Sequence, residues 1–249
     1  MVKKYKILNT FVHNVDLNTL NDRIIENINV NKKTIVGNLN INAANLSFEN
    51  TALKPFNDKS DIIFCDGSGI KLACLLKGYY PIPEKITYNT WFPTLLKKCS
   101  IENKKVFVLG SNKEVNDKAL NIFRNKYPLL KIKGHHGYFE KNGIENHDVI
   151  NTINEFEPDI LAVGLGMPLQ EQWILDNFEK LNAKVFLNGG AFLEWLSGNQ
   201  IQAPKIISDI GFEWLWRLIL APRKLFKRYI FGNFLFYYRL LTYHNKIKH

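Results

Sequence analysis

The chain has 249 residues, 46% of them hydrophobic, with a formal charge of +10; that is enough apolar material for one sizeable core, and it excludes global disorder. Three cysteines, Cys65, Cys74 and Cys99, form no Cys-x-x-Cys pair and exclude a disulfide framework, which points to buried thiols in a reducing compartment. The N-terminus carries no apolar signal-peptide core, and no run reaches the ~18 uncharged apolar residues of a membrane span, since Arg217, Arg223 and Arg239 break the best candidates.

Short apolar runs alternate with helical patterns along the chain. Thr34 to Gly37 reads as a strand, and a helix is expected from Leu46 onward. Asp61 to Cys65 is a second short strand, closed by Asp66-Gly67 and followed by a helix from Ile70 to Leu76. Lys105 to Leu109 is a buried strand stopped by Gly110-Ser111, and Glu114 to Tyr127 follows with Val115, Ala119, Leu120 and Phe123 at helical spacing. Asp159 to Val163 is the next strand, ended by Gly164-Leu-Gly166, with a helix from Leu169 to Leu181. Lys184 to Leu187 is another strand, ended by Gly189-Gly190 before a helix from Ala191 to Leu196. Strand, glycine-rich turn and helix repeated this way predict an α/β fold, a Rossmann-like parallel sheet with crossover helices. Ligands of such sheets bind beyond the carboxyl ends of the strands. Asp66, Gly110-Ser111, Gly164-Leu-Gly166 and Gly189-Gly190 are therefore expected on one rim.

From Lys205 the pattern changes, and residues 1–204 and 205–249 read as a catalytic core and a C-terminal helical appendage. Nine basic and two acidic residues lie from Lys205 onward, so +7 of the +10 sits there. Within Arg223 to Ile230, Arg223, Lys224, Lys227 and Arg228 fall on one helical face, with Leu225, Phe226, Tyr229 and Ile230 opposite. That is the pattern of an interfacial helix on a membrane surface; the bland alternative is a terminal helix packed on its own domain. Phe231, Phe234, Phe236, Tyr237 and Tyr238 extend the apolar character and favour the membrane. Segregated faces suit lipid better than nucleic acid, which wants aromatics interleaved with cations.

Several constellations have chemistry to offer. Gly164-Leu-Gly166 resembles a dinucleotide-binding turn but lacks the third glycine of Gly-x-Gly-x-x-Gly, which counts against a nucleotide-sugar oxidoreductase. Its free N–H groups at a helix start suit phosphate, and Gln170-Glu171 follow in the first turn. Asp66 is either a helix N-cap or a general base at the rim. Asn38, Asn40, Asn42 and Asn45 are either sugar- or base-reading amides or turn residues. His135-His136-Gly137-Tyr138 suggests a metal, but no third ligand lies nearby, and the chain has no Asp-x-Asp. A non-catalytic membrane-binding module is the competing class.

Together these residues resemble a family. Val163-Gly-Leu-Gly-Met-Pro-Leu-Gln-Glu-Gln-Trp173 is similar to the signature of the WecG/TagA/CpsF glycosyltransferases. Asn42-Ala43, Asp66-Gly67, Val108-Leu109-Gly110, Gly134 to Phe139, Pro158-Asp159, Gly189 to Phe192, Ala203-Pro204, Glu213-Trp214, Arg217, Pro222-Arg223 and Arg228-Tyr229 follow in the family's order. The resemblance implies an inverting transfer of a sugar, of N-acetylmannosamine or uronic-acid type, from a UDP-sugar to an undecaprenyl-diphosphate-linked saccharide. It implies no metal and no cofactor, a peripheral place on the cytoplasmic membrane surface, and a role in cell-surface polysaccharide synthesis; nucleic acid is not expected as a partner, and a homo-oligomer is left open. It makes Asp66 the base. It places Asn40, Asn42, Lys85, Gly110, Ser111, Tyr138, Gly164, Gly166, Gln170, Glu171, Gly189, Gly190 and Glu194 around donor and acceptor. Arg217, Arg223 and Arg228, with Lys224 and Lys227, are implied at the diphosphates and the membrane. This chain departs from the family at Asn40 (for threonine), at Lys85-Ile-Thr-Tyr88-Asn-Thr90 (for Arg-x-x-Gly-x-Asp), at Gln202 (for arginine) and at Glu194 (for aspartate).

Overall fold

A computed structural model describes residues 2–49 and 51–243; the side chains of Lys205, Asp209 and Lys224 lie outside the described residues, as do residues 244–249 of the expected appendage. A hairpin of β1 (Lys4–Ile7) and β2 (Thr10–His13) leads through α1 (Leu17–Asn29) to β3 (Thr34–Leu39), α2 (Ile41–Phe48), α3 (Leu53–Lys59), β4 (Ile62–Cys65) and α4 (Ser68–Leu76). The chain continues through α5 (Tyr88–Ile101), β5 (Lys105–Gly110), α6 (Lys113–Lys126), β6 (Lys131–His135), α7 (Gly143–Phe156), β7 (Ile160–Gly164), α8 (Leu169–Asn177), β8 (Val185–Asn188) and α9 (Phe192–Leu196). The last stretch is α10 (Lys205–Asp209), α11 (Glu213–Leu220), α12 (Pro222–Phe226), one π-helical turn at Lys227–Phe231, and α13 (Gly232–Thr242).

Six strands pair in parallel in the order β4-β3-β8-β7-β5-β6. The expected α/β class, a parallel sheet with crossover helices, is borne out. The inner strands are buried on both faces, which is why their sequences run almost continuously apolar. Alternation assigns the faces. Val106, Val108, Ala162, Val185 and Leu187 pack with α1, α5, α6 and α9, while Phe107, Leu109, Leu161, Val163 and Phe186 pack with α3, α7 and α8. The connection after β5 leads outward to β6, whereas that after β7 leads the other way to β8. Their ends, Gly110 and Gly164, are register partners at the point where the winding reverses.

Sequence periodicity missed the β1–β2 hairpin, which covers the β4 edge of the sheet. His13 Nδ1 accepts a hydrogen bond from the Ile63 N–H at 3.0 Å, capping a donor that an edge strand would leave open. The first helix after β3 begins at Ile41 rather than at Leu46 because Asn40 caps it, its Oδ1 accepting from the Ala43 N–H at 3.0 Å.

The appendage departs from the sequence expectation in two ways. Its basic segment is not one amphipathic helix. The π turn shifts the phase, so Arg228 and Tyr229 turn inward while Lys227 stays exposed. The aromatics of α13 are also divided. Phe236 is 0% exposed and, with Leu240, joins a core cluster containing Ala43, Ala44 and Ile70, so it is no membrane residue. Phe231, Phe234 and Tyr238 remain exposed. Arg239 ties the same helix to Asn45 Oδ1 at 3.1 Å and Glu49 at 3.0 Å. Phe236→Ala is therefore expected to cost about 3–5 kcal/mol of folding free energy, read by denaturant unfolding; a loss below ~1 kcal/mol would mean that α13 is not part of the core.

Candidate active site

The carboxyl ends of β3 and β4 open onto a cavity of about 680 Å³ between the sheet and the appendage, within the size range of ligand pockets. Asn40, Asn42, Asp66 and Lys85 line it from the core, and Arg217 and Arg228 from the appendage. Asp66 follows β4 directly, so the buried strand fixes its backbone, whose N–H donates to the Leu39 carbonyl at 2.9 Å. It does not cap α4, whose N-cap residue is Gly67 at φ +94°. Asp66 Oδ2 accepts from Asn40 Nδ2 at 3.0 Å, and Oδ1 has no hydrogen-bond partner among the described residues. One carboxylate oxygen is thus held and the other is free to take a proton. Burial pushes this carboxyl above the usual aspartate range, and Glu213 adds to the rise. The Asn40 hydrogen bond and the charges of Arg217 and Arg228 pull it back down.

Arg217 is the anchor of the appendage side. It lies on α11 one turn after Glu213, which accepts its guanidinium hydrogen bond, and it stacks on the Trp195 ring at 4.5 Å. Burial works against its charge, but Glu213, Tyr229 and Asp66 outweigh that and raise its pKa. The Nε–H groups of both Arg217 and Arg228 are buried without a hydrogen-bond partner. Two forked cations with spare donors beside a carboxylate suit diphosphate oxygens. Arg223 is exposed and does not line the cavity, and neither does Lys227.

The remaining expected residues form a second group along the same rim. Gly110 and Gly164 are a packing requirement, because a Cβ on Gly110 would meet the Gly164 carbonyl oxygen at 2.5 Å. Gln170 and Glu171, both 0% exposed, lie beneath the turns and do not line the cavity. Gln170 Oε1 accepts from the Gly190 N–H at 2.9 Å and the Gly166 N–H at 3.3 Å, so one side chain staples two glycine turns. Its Nε2 donates to Glu171 Oε1 at 2.8 Å, which also accepts from Asn188 Nδ2 at 2.7 Å. Asn188 in turn accepts through its backbone oxygen from Asn38 at 2.7 Å. Burial raises the Glu171 carboxyl pKa, against the pull of these amides. The Pro-x-Gln-Glu string thus shapes the rim from below, with Gly189 in the same turn as Gly190.

Ser111 Oγ donates to Glu194, which also accepts from Asn199 at 2.6 Å. Trp195, the next residue, carries Arg217, so α9 couples the Gly110-Ser111 turn to the cavity wall. Tyr138 follows β6 and is 78% exposed, away from the cavity. The His135 and His136 rings meet at a tilt with centroids 4.2 Å apart, and among the described residues no three His, Cys, Asp or Glu side chains converge on a metal position.

The comparisons with known proteins fall on this geometry. The sequence model of the WecG/TagA/CpsF glycosyl transferase family matches residues 5–249. The chain belongs to this family. It is therefore a glycosyltransferase. Proteins of Staphylococcus aureus strains MRSA252 and NCTC 8325 are each 31% identical over 218 residues, covering 84% of this chain and 83% of their own. Both are named N-acetylglucosaminyldiphosphoundecaprenol N-acetyl-beta-D-mannosaminyltransferase.

Membership gives the departures a structural meaning. Asn40, where the resemblance implied a threonine, does two jobs through one amide, capping α2 with its oxygen and holding Asp66 with its nitrogen. Lys85, where the resemblance implied an arginine, donates to the Ser208 carbonyl at 2.7 Å and so ties the core to α10. Tyr88 is buried among Phe64, Trp91 and Phe192, a core role and not a cavity role. Sequence reading missed Ser68, Thr87 and the turn at Ile210 to Phe212, all of which line the cavity. The signal for Ser68 was its place two residues after Asp66; the α10–α11 turn carried none, since its position depends on how the appendage folds back.

Proposed function

We propose that this glycosyltransferase moves a hexose, of the N-acetylmannosamine type named for its relatives, from a UDP-sugar to a saccharide carried on undecaprenyl diphosphate. The observation that carries the proposal is the cavity that joins Asp66, one oxygen held by Asn40 and the other free, to Arg217 and Arg228. In an inverting displacement the acceptor hydroxyl oxygen attacks the anomeric carbon and the bond from that carbon to the UDP oxygen breaks. The hydroxyl proton passes to Asp66, and the leaving diphosphate gathers negative charge beside the two guanidinium groups. Asn42 and Lys85, which line the cavity, orient sugar hydroxyls in this reading, and the stapled turns at Gly166 and Gly190 shape the adjoining rim.

Among the described residues no helix is long and apolar enough to cross a membrane. A lipid-linked acceptor nevertheless requires the cavity to open at a bilayer, and the exposed aromatics of the appendage with Arg223 and Lys227 support peripheral attachment at the cytoplasmic face. A panel of UDP-sugars offered with a short-chain lipid-diphosphate N-acetylglucosamine acceptor, with products identified by mass spectrometry, tests the reading. UDP-N-acetylmannosamine is expected to add one N-acetylhexosamine mass. Transfer of a different sugar would correct the donor, and no transfer from any UDP-sugar would end the proposal.

A further inference from the structure

Helix α4 is apolar on both sides. Ile70, Ala73 and Cys74 face the core, while Leu72, Leu75 and Leu76 form an outer ridge at i, i+3, i+4 spacing, 45%, 57% and 54% exposed. A helix apolar all round is normally buried, and three adjacent leucines turned to solvent on a nine-residue helix are not scattered surface residues. The ridge continues into the cavity, for Leu72 lines it together with Ile210 and Phe212, which are themselves exposed.

Cations surround the ridge. Lys71 and Lys77 are exposed on α4 and at its C-cap, with no salt-bridge partner among the described residues. The hairpin adds more. Lys3 Nζ donates to the Tyr80 carbonyl at 3.2 Å, and Tyr79, stacked on Tyr5 at 4.7 Å, donates to the Lys6 carbonyl, which places the β1 lysines beside the end of α4. Neither residues 2–15 nor residues 67–83 contain an acid. An apolar ridge flanked by lysines, with Asp16 and Glu84 bordering these two segments and Glu84 accepting from the Leu17 N–H, is complementary to an anionic phospholipid surface, where leucines enter the acyl boundary and lysines meet headgroups.

We propose that α4, an element of the core and not of the appendage, is a membrane-docking element that seats the cavity mouth on an anionic bilayer. Leu72, Leu75 and Leu76 insert, and Lys71 and Lys77 pair with lipid phosphates. Docking through α4 and through the appendage on either side of the mouth fixes its orientation toward the bilayer. The inference builds on the reading that the acceptor is lipid-linked, but its test is independent of turnover.

The full chain is incubated with sedimentable vesicles of phosphatidylcholine alone or with one-quarter phosphatidylglycerol. Leu75→Gln/Leu76→Gln, which leaves the cavity lining untouched, is expected to lower partitioning about 10–100-fold on anionic vesicles, with thermal melting and turnover on a short-chain soluble acceptor unchanged. Lys71→Gln/Lys77→Gln is expected to lower binding several-fold on anionic vesicles and little on neutral ones. Wild-type partitioning by the leucine variant would overturn the proposal. So would a change from oligomer to monomer in analytical sedimentation with vesicle binding intact, which would assign the ridge to a second copy of the chain. If wild-type protein binds vesicles through α4 yet transfers no sugar, the docking element stands and the proposed reaction falls.

Discussion

Asp66→Asn is expected to lower turnover by about 10²–10⁴-fold, the range a positioned general base supplies, while UDP binding and the fold persist. The asparagine keeps the volume, and its amide oxygen can still accept from Asn40 Nδ2. Stability gives the substitution a second, opposite sign. Burial raises the Asp66 pKa in the folded chain, so the fold favours the protonated acid. The folded state then loses stability as pH rises from the unfolded pKa, ~3.9, through the higher folded one, and above both the cost of the buried charge is constant. At neutral pH asparagine removes that cost, and the melting temperature of the variant should equal or exceed that of wild type. In the wild-type enzyme the acid limb of kcat/KM should lie above the ordinary aspartate range. Near-wild-type turnover in Asp66→Asn would remove Asp66 as the base. Lost turnover together with a lowered melting temperature would make it a structural residue.

The conflict at Asp66 illustrates what a sequence can and cannot display. Strands β5, β7 and β8 were legible because burial on both faces writes itself as uninterrupted apolar runs, and their glycine stops marked the carboxyl rim. Asp66 was legible as a rim residue for the same reason. Whether it capped α4 or faced the rim was not, since both readings place an acid between a strand and a helix; α4 takes Gly67 as its N-cap residue with no side-chain cap, and Asp66 turns to Asn40 instead. Gln170 and Glu171 were legible as a string but not as a role, because a side chain that staples Gly166 to Gly190 joins two turns twenty-four residues apart in sequence. The appendage was the least legible part. Helical projection placed Arg228 with Arg223 on one face, and one π turn separates them, turning Arg228 to the cavity and leaving Arg223 outside. Phe236 and Phe234 are equally aromatic and only tertiary packing distinguishes them.

That separation of the arginines makes the second large prediction specific. Arg217→Ala should lower kcat by about 10²–10³-fold, comparable to loss of one oriented donor to a developing anion, whereas Arg223→Ala should leave turnover on a soluble short-chain acceptor within about twofold. Two effects add at Arg217. In the proposed reaction a forked cation no longer faces the leaving diphosphate, and Glu213 loses its ion-pair partner near Asp66. Both Arg217 and Glu213 act on the Asp66 carboxyl, the first lowering its pKa and the second raising it, so the acid limb of the pH profile should move to higher pH in Arg217→Ala. Arg217→Lys keeps the charge but loses the fork and the planar stacking on Trp195; it should restore the acid limb more fully than it restores kcat. A purely structural arginine would behave otherwise, with all substitutions lowering the melting temperature and none moving the pH profile. Equal losses in Arg217→Ala and Arg223→Ala would show instead that the appendage acts through its total charge, and the assignment of Arg217 to the cavity chemistry would fail.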